Sequence, residues 1–118
     1  MGLKFKTPAK VNLGLHIHGK RRDGFHELET IFQMVSLYDE IELEPLSSGI
    51  ELECDTPGVP TDDTNLACQA AILLQKFCHI KDRGVGIRLK KNIPFGAGLG
   101  GGSGNAAGVL MGLNRLWN

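Results

Sequence analysis

Pro94-Phe95-Gly96-Ala97-Gly98-Leu99-Gly100-Gly101-Gly102-Ser103-Gly104-Asn105 is the stretch on which the reading of this chain turns. Six of the nine residues from Gly96 to Gly104 are glycine, and an apolar-periodic segment follows at once. Without side chains, backbone N–H groups come close to a ligand. A glycine loop that opens a helix adds that helix's unpaired N-terminal N–H groups and the positive end of its dipole. The combination predicts an anion site, most often one for phosphate.

Working outward, Ala106, Ala107, Val109, Leu110, Leu113 and Leu116 form a helical stripe after the loop. Before it, Gly84 to Lys90 alternates as a strand. Further upstream, Leu66, Ala67, Ala70, Ala71, Leu74 and Phe77 keep helical spacing within Leu66 to Cys78. Asp62, Asp63 or Thr64 can cap that helix, after a loop from Pro57 to Asp63. The N-terminal half is β-rich. Leu3 to Lys6 reads as a short strand broken by Thr7-Pro8, Val11 to Ile17 as a half-buried strand, and Leu28 to Leu37 as β-rich with one irregularity. Gly19 to Gly24 is charged and turn-like. Glu40 to Glu44 and Gly49 to Cys54 alternate cleanly on either side of Pro45 and Ser47-Ser48-Gly49, which predicts an antiparallel hairpin. The expected fold class is α+β, a mainly antiparallel sheet packed with helices.

At 118 residues the chain is at most one domain, long enough to bury a core without staples. Lys plus Arg and Asp plus Glu both number 13. That balance argues against nucleic acid as the main partner, yet it leaves room for a small phosphate ligand held by backbone amides. No apolar stretch nears the ~20 residues of a membrane span. Cys54, Cys68 and Cys78 are odd in number and unpatterned, and Met1 to Lys10 has no apolar run, so a reduced, cytoplasmic compartment is the expectation.

Three kinds of phosphate loop compete for the glycine run. A P-loop needs Lys-Ser or Lys-Thr after its last glycine, whereas Ser103-Gly104 follows Gly102. Gly96, Gly98 and Gly101 formally meet G-x-G-x-x-G, but that fingerprint belongs in a βαβ unit with an acidic residue ~20 positions on. The third kind is a proline-led loop, Pro-x-Gly-x-Gly-Leu-Gly, followed by small residues and a helix. In this form the chain resembles the second motif of the GHMP kinases, a superfamily of small-molecule kinases. Pro8-Ala9-Lys10-Val11-Asn12-Leu13, Arg22-Asp23-Gly24-Phe25-His26-Glu27-Leu28, Asp63-Thr64-Asn65-Leu66 and Leu113-Asn114-Arg115-Leu116-Trp117 narrow the resemblance. They are similar to the branch that works in non-mevalonate isoprenoid synthesis, on a methylerythritol carrying a cytidine diphosphate.

The resemblance implies transfer of the ATP γ-phosphoryl group to the 2-hydroxyl of the erythritol, a reaction that depends on positioning and charge stabilisation. It implies that the run from Pro94 to Gly104 cradles the ATP phosphates, with Ser103 adding a hydroxyl or capping the helix, and that Mg²⁺ accompanies the nucleotide. Asn65 and Leu66 would lie near the nucleotide base, or Thr64 or Asn65 would simply cap the helix. Lys91 is either near the nucleotide or a solvated lysine. Lys10 is implied as one of two catalytic residues, stabilising negative charge at the acceptor hydroxyl. Asn12, two residues on, shares its strand face. Phe25, where the family usually has tyrosine, can stack on the cytosine ring. His26 either bonds the base or caps a strand, and Phe32 either lines the same pocket or belongs to the core. His16 and His18, with His26, form a conceivable metal set lacking a completing ligand, so no metal site is assigned.

The resemblance also implies that these residues are the N-terminal domain of the kinase, incomplete and without its C-terminal domain. The second catalytic residue, an aspartate in a Gly-Ala-Asp-Val-Pro-like segment, would lie past Asn118, so the chain alone is expected not to turn over. Gly104 stands where the family usually has serine. A nucleotide-binding module without this substrate, or an interaction module pairing through an exposed apolar edge, is the alternative.

Overall fold

The computed structural model describes residues 2–20, 26–95 and 99–117, with 12–20 and 26–32 described by their backbone course. Four strands and two helices follow in the order β1 (Leu3–Lys20), β2 (His26–Leu46), β3 (Ile50–Cys54), α1 (Leu66–Phe77), β4 (Gly84–Lys90) and α2 (Gly101–Leu116). The strands make one sheet in the order β1-β2-β4-β3, with β3 parallel to β4 and the other pairs antiparallel. The α+β expectation holds, and the sheet is mainly antiparallel as expected, with β3–β4 as its one parallel pair.

Alternation sets the faces. Thr7 and Ala9, Asp39, Ile41 and Leu43, and Val85, Ile87 and Leu89 point to the buried side. They meet Ala67, Ala70 and Ala71 of α1 and Val109 and Leu113 of α2 in one core. Trp117 closes its end: the indole N–H donates to the Gly84 carbonyl at 3.3 Å, and the Arg83 guanidinium donates to the Trp117 carbonyl. Helix α2 approaches the sheet closely because it is lined by glycine. A Cβ at Gly112 would stand 2.6 Å from Leu43 Cδ1 and 3.0 Å from Phe5 Cε1.

Several boundaries differ from the sequence reading. Thr7-Pro8 does not break the first strand. Pro8 faces Tyr38 and Ala9 faces Val35, so the register slips there, and a residue without an N–H is tolerated where the ladder is already interrupted. The segments from Leu28 to Leu37 and from Glu40 to Glu44 are one strand; of the expected turn, Gly19 and Lys20 belong to β1 and residues 21–24 lie outside the described residues. The predicted hairpin is split. β4 enters between β2 and β3, which are not hydrogen-bonded neighbours. Its apolar residues and both its backbone edges are satisfied in the centre, while the glutamate-rich β3 takes the edge. Gly84 makes the crossing possible: its Cβ would lie 2.1 Å from the Gly49 carbonyl oxygen, to which the Val85 N–H donates at 2.9 Å.

Helix α1 is capped by Asn65, whose carboxamide oxygen accepts from the Ala67 N–H at 2.9 Å. Asp62 does not cap it. Its carboxylate accepts from the hydroxyl and the N–H of Thr64, a turn one step upstream that holds the Asp62 pKa down. At the far end His79 sits at φ 55°. The Ile80 N–H reaches the Gln75 carbonyl and the His79 N–H the Lys76 carbonyl, the Schellman pattern of a helix stop.

Candidate functional site

The glycine run emerges from the sheet after β4 and ends as the first turn of α2. Gly100 is the N-cap at φ 72°, with no side chain capping the helix. The expected capping role of Ser103 therefore falls: it is the third residue of α2, exposed, one turn too late. The Gly104 N–H bonds the Gly100 carbonyl at 2.8 Å. The N–H groups ahead of it in the first turn have no intrahelical acceptor and present a positive end to a ligand.

Lys10 lies against this loop. Its backbone N–H donates to the Leu99 carbonyl at 2.8 Å. A Cβ on Gly100 would come within 2.8 Å of Lys10 Cε and 2.9 Å of Cγ, so only glycine lets the lysine stem pass at this point. The backbone ladder places Lys10 opposite Met34 and Asn12 opposite Phe32, so three of the residues implied for the substrate occupy neighbouring rungs. His26 pairs with Lys20 at the other end of the β1–β2 arm. Phe25, Gly96, Ala97 and Gly98 lie outside the described residues, as do the side chains of Asn12, His26, Phe32, His16 and His18.

Beside the first turn of α2, Asn65, Leu66, Lys91, Phe95 and Gly102 line one cavity of about 170 Å³. All five were singled out for the nucleotide from sequence. Ligand pockets for drug-sized molecules start at ~300 Å³, so this one is too small to hold such a molecule whole. Asn65 is held on both sides, since its Nδ2 donates to the Pro60 carbonyl at 2.9 Å while Oδ1 caps α1. Leu66 reaches toward Gly102, and Phe95 stands half-exposed against Gly58. Pro94 is exposed.

Lys91 is not a solvated lysine. Its ammonium lies 2.5 Å from Asp39 Oδ2 and 2.9 Å from Asn105 Oδ1, and its side chain is buried. Asp39 is fully buried and accepts four hydrogen bonds. The Asn92 and Ile93 N–H groups donate to Oδ1 at 2.7 and 2.9 Å, and Lys91 and Asn105 Nδ2 donate to Oδ2. Asn105 Nδ2 also reaches Thr7 Oγ1 at 2.9 Å. Burial alone would push the Asp39 carboxyl up. The Lys91 ammonium, the Ile93 N–H, Asn105 and the Asn92 N–H outweigh it and hold Asp39 below the usual carboxylate range.

Asp39, Asn105 and Thr7 were missed in the sequence, and a signal for them is there. Asp39 and Lys91 fall on the inward register of Ile41, Leu43, Ile87 and Leu89, and Asn105 falls one turn before Val109 and two before Leu113. A polar residue on an apolar register marks a buried network.

Among the described residues no three His, Cys, Asp or Glu side chains are grouped to hold a metal. The three cysteines are free thiols. No described helix is long and apolar enough to cross a membrane.

Residues 65–118 match the family described as GHMP kinases N terminal domain. The chain is 50% identical over 115 residues to the 4-diphosphocytidyl-2-C-methyl-D-erythritol kinase of Chlorobium phaeobacteroides (strain BS1), covering 98% of this chain and 40% of that protein. It is 53% identical over 109 residues to the enzyme of the same name from Synechococcus sp. (strain JA-2-3B'a(2-13)), covering 92% and 35%. A crystal structure of 4-(cytidine 5'-diphospho)-2C-methyl-D-erythritol kinase superposes with a TM-score of 0.85 at 45% identity, covering 98% of this chain and 41% of that one. The chain spans about 40% of the length of the curated relatives it matches.

Proposed function

We propose that this chain, whose fold is that of the GHMP kinase N-terminal domain, carries the ATP loop and part of the acceptor site of a kinase that phosphorylates the 2-hydroxyl of 4-diphosphocytidyl-2-C-methyl-D-erythritol. The observation that carries the reading is the contact between Lys10 and the loop at Leu99 and Gly100. One strand brings a cation to the place where a helix N-terminus would hold phosphate. Donor phosphate and acceptor hydroxyl need that proximity for an in-line transfer.

In this reading the first-turn N–H groups of α2 and the glycine backbone receive the ATP phosphates, with Gly104 and Ser103 at the edge. Asn65, Leu66, Lys91 and Phe95 shape the cavity for the base end. Lys10 stabilises negative charge on the acceptor oxygen and the transferring phosphoryl group. Asn12 and Phe32, with His26 and Phe25 further along the arm, receive an elongated substrate that ends in cytidine. Mg²⁺ enters with the nucleotide, bound to phosphate oxygens, and the pathway served is isoprenoid synthesis in the cytoplasm. The aspartate segment that the resemblance pairs with Lys10 is not among these 118 residues.

Calorimetric titration of the chain with ATP and with cytidine diphosphate tests this. Both should bind, and Lys10→Ala should weaken ATP binding. ATP binding without cytidine diphosphate binding favours a nucleotide-binding module of another substrate class. Phosphate transfer by the chain itself, lost in Lys10→Ala, would show that no aspartate beyond these residues is needed.

A further inference from the structure

We infer that Asp39 is a positioning residue for the glycine loop, resting on the reading of that loop as the phosphate site. Glycine has the most conformational freedom to lose and no side chain to pack, so a glycine-rich run depends on ties from outside it. One tie is the Lys10 N–H on the Leu99 carbonyl, and the others hold its two stems. The stem that enters is Lys91 to Ile93, and the stem that leaves is the start of α2, Gly101 to Asn105. One carboxylate ties both. Oδ1 takes the backbone N–H groups of Asn92 and Ile93 from the entering stem. Oδ2 takes Asn105 from the leaving stem, and the Lys91 ammonium bridges Asp39 to Asn105.

Asp39 is itself fixed, because it sits in the ladder of β2 opposite Thr7. Its hydrogen-bond partners all belong to the stems. The Lys91 ammonium lies under Gly101, 3.1 Å from where a Cβ would be. Asp39 neutralises that charge, so no uncompensated cation is buried beside the positive end of the helix. The network sets where the first-turn N–H groups stand relative to Lys10, and hence where phosphate would sit.

The test compares the wild-type chain with Asp39→Asn and with Asp39→Asn/Lys91→Met, which removes the buried cation together with its partner. Amide hydrogen exchange at residues 99–105 is read against residues 66–77, and ATP and cytidine diphosphate affinities are measured by titration. The double variant should keep a cooperative thermal transition. Its loop amides should exchange roughly tenfold faster while α1 is unchanged. In Asp39→Asn, which keeps Lys91 in the cavity, ATP should bind roughly tenfold more weakly at unchanged cytidine diphosphate affinity. Unchanged loop exchange in a folded double variant overturns the inference, and so does an equal loss at both ligands or in both segments. Faster exchange confined to the loop in a chain whose wild type binds no ATP would uphold Asp39 as the tie and overturn the phosphate reading instead. Should the double variant not fold, Asn105→Ala cuts only the leaving stem and must give the same local signature, in smaller size.

Discussion

Two adjacent rows of the same sheet carry the same chemistry to opposite ends. Thr7, Asp39 and Lys91 form one row and Lys6, Glu40 and Lys90 the next, each crossing β1, β2 and the strand end of β4. Both rows pair a carboxylate with a lysine. In the inner row the side chains of Lys91 and Asp39 are 4% and 0% exposed and 2.5 Å apart. In the outer row Lys90 and Glu40 are 74% and 45% exposed and 3.5 Å apart. The outer pair shares its face with the pairs that Arg88 makes with Glu42 and Glu53, on the solvent side of the sheet. One residue of register moves an ion pair from a solvated surface to the base of the glycine run. What an ion pair contributes is therefore set by the face of the strand rather than by its charges.

The sharpest way to break this comparison is to remove one inner partner. Asp39→Ala leaves Lys91 buried and unpaired, and should cost about 3–5 kcal/mol in denaturant unfolding, more than any single change on the outer face. The same group gives the comparison a pH axis. Asp39 titrates below its ordinary 3.8 in the folded chain, so its contribution is complete above that value. It is lost as the pH falls from there through the lowered native value. The wild type should lose stability on acidification below about pH 4 more steeply than Asp39→Asn/Lys91→Met, and the two should run parallel between pH 5 and 8. Coincident acid profiles would sink the assignment.

A smaller effect probes the inner face without charge. Gly112→Ala pushes a methyl into Leu43 and Phe5, and should cost about 1–3 kcal/mol as α2 is lifted from the sheet. A neutral or stabilising result, as for alanine in an exposed helix, would mean that the packing there yields. Smallest of all, Lys90→Met on the outer row should change stability by no more than about 1 kcal/mol, with the difference shrinking as salt is added.

Much of this was legible where the information is local. Glu40 to Glu44, Gly49 to Cys54 and Gly84 to Lys90 alternate, and each is a strand. Helix α1 begins at Leu66, where the spacing placed it, and the run from Pro94 to Gly104 does open a helix. Legibility failed where a distant residue decides. Pro45 and Ser47-Ser48-Gly49 look like a hairpin connection because nothing nearby reveals that β4 will enter between the two strands. Asp39 reads as one more charge between Tyr38 and Glu40 until Lys91 and Asn105, far along the chain, close around it. Lys91 was noticed for the nucleotide, yet its burial was not, because lysine composition alone argues for solvent.

The split between β2 and β3 also has a kinetic side. The two strands are antiparallel and leave the ribosome together, joined by a short turn, whereas Glu40 has to wait for Lys90 before it finds its rung. Loop closure favours the nearer pairing. The hairpin that misleads a reader of the sequence is thus a pairing within reach before β4 is made. β4 completes the sheet only by arriving last and taking the central place.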